Sequence, residues 1–104
     1  MTTLSAHLKN WHPDNPVSKG AHAYHNAVVN ASWHIDNMNE LIKIVGKKIK
    51  NNNIVVDFGA GTGSSALYLL QALKVKFTLW LVDNSTSWLS KAYELSSHYQ
   101  NVNF

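Results

Sequence analysis

The chain has 104 residues, a net charge of +3 with its histidines neutral, 45% hydrophobic residues and 14% charged residues. That suits one domain at most, with enough apolar material for a core and no disordered signature. The absence of cysteine excludes disulfides, thiolate catalysis and Cys-ligated zinc, and the absence of arginine disfavours nucleic-acid recognition.

No apolar run approaches the roughly 20 residues of a membrane span. Met1 to Asn10 lacks the apolar segment of a signal peptide. A cytoplasmic protein without membrane contact is expected. The basic cluster Lys43, Lys47, Lys48 and Lys50 falls late in a predicted helix, where cations complement the negative end of the helix dipole.

Residues 1–35 read as a lead-in followed by a cover helix. Trp11-His12-Pro13-Asp14-Asn15-Pro16 holds both prolines with turn-forming residues between them, so residues 1–19 are expected to be irregular. From Gly20 to Ser32, the spacing of Ala21, Tyr24, Val28 and Ala31 predicts a short helix with one apolar face. His22 and His25 share a face of it and have the spacing for metal binding. A third ligand and an H-E-x-x-H pattern are lacking, so they read as solvated or satisfied histidines and no metal is expected.

Asp36 to Asn51 is the clearest predicted helix: Met38, Leu41, Ile42, Val45 and Ile49 form one stripe, with Ile35 just ahead. Asp36 is its expected cap and Gly46 a weak point inside it. Asn51-Asn52-Asn53 ends it, because asparagine tolerates the left-handed conformation.

Ile54-Val55-Val56 follows, an uninterrupted β-branched run expected to be a strand buried on both faces. It leads into Asp57-Phe58-Gly59-Ala60-Gly61-Thr62-Gly63. Glycines at every second position allow a tight turn and close approach of a ligand to the backbone. A helix with Ala66, Leu67, Leu69, Leu70 and Leu73 comes next, and its free N–H groups face that ligand. Phe77 to Val82 predicts a second buried strand, parallel to the first through a βαβ crossover. Ser85 is the expected cap of a helix marked by Trp88, Leu89, Ala92, Tyr93, Leu95 and Tyr99. Asn101 to Phe104 reads as the start of a third strand.

The strand, the acid and the Gly-x-Gly-x-Gly of Asp57 to Gly63 resemble the first motif of class I S-adenosylmethionine-dependent methyltransferases. Phe77-Thr78-Leu79-Trp80-Leu81-Val82-Asp83, an apolar strand ending in an acid, resembles the second. The resemblance implies an α/β fold, a Rossmann-like doubly wound parallel sheet. Residues 36–104 would then be its N-terminal, cofactor-binding half, ending just after the third strand begins. The family places strand one mid-sheet, so an uncovered apolar edge at Ile54 to Phe58 is expected to be prone to pairing. Either the enzyme is longer, or a partner chain or second copy completes the sheet.

The resemblance implies methyl transfer from S-adenosylmethionine to an acceptor the sequence does not identify. Asp83 would accept from the ribose hydroxyls, and Gly59, Ala60 and Gly61 would lie against the methionine part. Phe58 and Gly63 belong to the same motif. Asp57 either favours the cofactor's ammonium or fixes the loop, and Asn84 and Ser85 would meet the adenine edge. No catalytic residue is assigned, since the family places that group after strand four. Tyr24, His25, Trp33 and His34 are within reach of the cofactor from the N-terminal cover, although core or surface roles are expected for them. A non-catalytic S-adenosylmethionine-binding module is the alternative. A nicotinamide-dependent oxidoreductase is disfavoured by Ser64, where a dinucleotide fingerprint needs glycine.

Overall fold

The computed structural model describes residues 16–104, with side chains from residue 20 onward. The reading of Trp11 to Asn15 as a turn lies outside the described residues. The described chain is α/β: α1 (Pro16–Val29), α2 (Ser32–Val45), β1 (Ile54–Phe58), α3 (Ser64–Ala72), β2 (Thr78–Val82), α4 (Thr86–Ser96) and β3 (Val102–Asn103). The three strands form a parallel sheet in the order β1-β2-β3, so β1 lies on an edge of the sheet that the described residues make.

The helix boundaries differ from the sequence reading. α1 begins at Pro16, four residues before Gly20. Proline suits the first helical position, because its φ is preset and the N–H it lacks has no intrahelical acceptor there. The helix runs through Gly20, where an added Cβ would meet nothing within 4 Å. α2 begins at Ser32 after a break at Asn30 and Ala31, so Asp36 sits inside the helix and does not cap it. Ala31 occupies the N-cap position with no side-chain bond, and the free turn is tied instead by backbone bonds from His34 and Ile35 to the Ala31 carbonyl.

α2 also stops at Val45, earlier than expected. Gly46 is a poor interior residue, costing about 1 kcal/mol relative to alanine, and the chain after it turns Ile49 into the core. The asparagine triplet then makes the predicted turn, with Asn52 at φ 67°. Its members tie the α2–β1 connection to the start of β2: Asn51 Oδ1 accepts from the Lys76 N–H at 2.9 Å, and Thr78 N–H donates to the Asn53 carbonyl at 2.9 Å. At the other end of the chain, α4 stops at Ser96, leaving Tyr99 in the following turn.

The core lies on one face of the sheet. Leu79 and Leu81 are 0% and 1% exposed and pack with Ala66, Leu69, Leu89 and Ala92 from α3 and α4. Burying each of the leucines is worth about 1.5–3 kcal/mol. The opposite face corrects the expectation of strands buried on both sides: Ile54, Val56, Phe58, Trp80 and Val82 are exposed. Strand side chains alternate between faces, and among the described residues the helical layer covers only the face of Leu79 and Leu81. No helix of the described residues is long and apolar enough to cross a membrane.

Candidate functional site

The tips of β1 and β2 meet in a loop that only glycine makes without strain. Gly59, Gly61 and Gly63 all have left-handed backbones, at φ 74°, 57° and 79°, a region costing about 1–2 kcal/mol for a residue with a Cβ. The loop is stitched to β2: Gly59 and Ala60 N–H groups both donate to the Val82 carbonyl, at 2.7 and 3.0 Å. Gly63 occupies the N-cap position of α3 and supplies its carbonyl to Leu67 N–H at 2.8 Å. The space around it is tight, since a Cβ there would lie 3.2 Å from the Ala92 Cβ.

Asp83, the residue after β2, joins the two tips. Its Oδ2 accepts from Gly61 N–H at 2.9 Å, and its Oδ1 accepts from Ser85 N–H at 2.8 Å. Each bond engages one acceptor site per oxygen, so the carboxylate keeps further lone pairs for a ligand. Ser85 caps α4 as the sequence predicts, its Oγ accepting from Trp88 N–H at 3.4 Å. That start of α4 brings the Trp88 ring over the loop, where a Cβ on Gly61 would lie 3.4 Å from it. Tyr24 from α1 packs on the same indole, with ring centroids 4.3 Å apart and planes at 49°.

These residues enclose a cleft of about 290 Å³, lined by Tyr24, Asp57, Ala60, Gly61, Asp83 and Trp88 among others. Among the described residues, its lining has two carboxylates and no basic side chain. Burial above all, and then the charge of Asp83, push the Asp57 carboxyl above its ordinary value. A cation in the cleft would relieve both effects.

Beside the cleft, α1 is fastened to the rest by polar contacts. His25 Nδ1 and Thr62 Oγ1 are 2.9 Å apart and buried. The Lys91 ammonium of α4, 3% exposed, donates to His22 Nδ1 at 2.7 Å and lies 3.0 Å from Glu94 Oε2. His22 and His25 thus have separate partners. Among the described residues, no three His, Asp or Glu side chains are grouped to hold a metal.

Of the residues singled out in the sequence, Asp57, Gly59, Ala60, Gly61 and Asp83 line the cleft. Phe58, Gly63, Asn84 and Ser85 do not. Phe58 is 80% exposed on the outer sheet face, because a strand residue adjacent to Asp57 points the other way. Gly63 is buried against Ala92, Asn84 is exposed, and Ser85 is spent on the cap. Trp33 is exposed and does not line the cleft, whereas Tyr24 does. Trp88 was legible only as an apolar residue of a helix. Its place three residues after the Ser85 cap is the signal that sets it in the first turn, beside the loop.

Comparison with family models, with curated proteins and with solved structures finds no match in any of the three.

Proposed function

We propose that the cleft binds S-adenosylmethionine and that the chain is the cofactor-binding portion of a methyltransferase built on a Rossmann-like, doubly wound sheet. One observation carries the reading: a left-handed glycine loop and an acid-tipped neighbouring strand share a cleft that contains two carboxylates and, among the described residues, no base. Such a lining favours a ligand with positive charge. It opposes the pyrophosphate of a nicotinamide cofactor, which would meet Asp57 and Asp83 without a compensating cation among the described residues.

The residues present fit that cofactor. Asp83 has the lone pairs to accept from ribose hydroxyls while still holding Gly61 and Ser85. Asp57 sits where an ammonium would offset its burial and its repulsion from Asp83. The Tyr24–Trp88 pair offers an aromatic surface to a base or to a sulfonium. Phe58 and Asn84 have no place in this reading, and Ser85 acts only through the helix cap. Bound there, the cofactor would supply a methyl group already activated by its sulfonium, so the task of these residues is orientation. Completion of the sheet beyond β1 by a partner chain or a second copy belongs to the same proposal.

Calorimetric titration with S-adenosylmethionine, S-adenosylhomocysteine and NAD tests it. Saturable binding of S-adenosylmethionine is expected, with weaker binding of the product that has lost the sulfonium charge and none of NAD. Binding of NAD alone, or of none of the three, would defeat the assignment.

A further inference from the structure

A second cavity, of about 500 Å³, opens among α1, α2, α3 and the residues around the end of α4. Its walls are apolar at Val29, Leu67 and Leu95, and its polar groups include Gln71 and three histidines, His25, His34 and His98. Among the described residues, no lysine, aspartate or glutamate lines it. The volume lies within the roughly 300–1,000 Å³ of sites for small organic ligands. It shares a wall with the glycine cleft, since Ser64 lines both.

His34 marks this cavity as more than a packing gap. It is 5% exposed, its ring meets Trp33 edge-on at 5.9 Å, and its nitrogens have no hydrogen-bond partner among the described residues. His25 is in a similar position on one side: Nδ1 is taken by Thr62, and Nε2 has no partner among the described residues. Buried polar atoms are nearly always satisfied, and an unsatisfied one is costly. Two buried imidazoles with unused nitrogens, on the wall of a cavity that no described lysine, aspartate or glutamate lines, suit a neutral ligand with an apolar body, such as an aromatic ring, and a hydroxyl or amide.

We propose that this cavity is a second small-molecule site, which takes an uncharged aromatic ligand through a hydrogen bond to His34 or His25. The inference rests on the cavity and its histidines, independently of what the glycine cleft binds. Its probe is 2-naphthol, with naphthalene as the partner lacking the hydroxyl, titrated into the chain while the histidine ring nitrogens are followed by NMR.

Saturable shifts at the His34 or His25 nitrogens are expected below about 1 mM, with naphthalene at least roughly tenfold weaker. His34→Phe keeps the ring and removes both nitrogens. It should bind 2-naphthol about tenfold more weakly yet melt no lower than the parent, because no protein hydrogen bond is lost. Gln71→Trp, at an exposed position on the cavity wall, should also reduce binding by filling the space. Unchanged histidine signals, unsaturable binding, or equal affinity of His34→Phe for 2-naphthol would overturn the proposal, as would a cavity that holds only water in the presence of the probe.

Discussion

Replacing Asp83 by alanine tests the joint between the two strand tips. The substitution removes an acceptor from Gly61 N–H at 2.9 Å and from Ser85 N–H at 2.8 Å. Hydrogen bonds to a charged group are worth about 1.5–3 kcal/mol each. Both groups are partly buried, so water replaces some of what is lost, and relief of the repulsion with Asp57 offsets a little more. A net loss of about 2–3 kcal/mol follows, which for a domain of this size lowers the melting temperature by roughly 10–20 °C. Asp83→Asn keeps one acceptor but turns an amide N–H toward a backbone N–H, and should fall between the two. Circular dichroism melts of the three proteins provide the measurement. An alanine variant melting within about 2 °C of the parent would refute the claim that this carboxylate holds the loop. If the variant is folded at low temperature, its affinity for S-adenosylmethionine should also drop, and unchanged affinity would remove Asp83 from the proposed ribose contact.

Asp57→Asn should act in the opposite sense on stability. Burial and then Asp83 raise the native carboxyl above its ordinary value, so within that window the native state holds a proton that the unfolded chain has lost. Stability therefore falls as pH rises through the window, and the asparagine variant should melt higher at neutral pH while binding S-adenosylmethionine more weakly. A lower melting temperature for the variant would contradict this. His25 gives the converse pH dependence: burial first, then Lys91, His22 and His34, hold it below its ordinary value of 6.5, against the opposing pull of Glu94. The unfolded chain takes up the proton first, so its contribution is complete above pH 6.5 and is lost as pH falls toward the native value. His25→Asn should flatten that limb of a stability–pH curve, and parallel curves would argue against it. Among the glycines, Gly59→Ala pays only for the left-handed backbone, about 1–2 kcal/mol. Gly63→Ala adds crowding against Ala92 at 3.2 Å and should unfold at lower urea concentration than Gly59→Ala. Equal midpoints would contradict that.

The glycine loop, the asparagine turn and the Ser85 cap were legible because each is written in a few adjacent residues. Left-handed tolerance at Gly59 to Gly63 and Asn52, and a serine placed to accept from Trp88 N–H, are short-range properties of the backbone. The same holds for β-branching in β1 and for the apolar acid-tipped strand β2. The limits of α1 and α2 were less legible, since Pro16 and Gly46 bear on helix ends through modest terms that neighbouring contacts override.

What only the tertiary structure decided is which distant groups meet and which faces are covered. Asp83 finds Gly61 across 22 residues, His25 finds Thr62 across 37, and Lys91 finds His22 across 69. Nothing local in the sequence encodes those pairings. Ile54, Val56 and Phe58 are as apolar as Leu79 and Leu81, yet they lie open while the leucines are sealed. Composition states that a strand has apolar side chains to bury. Whether they are buried depends on the layer packed against each face, and here the described helices cover only one.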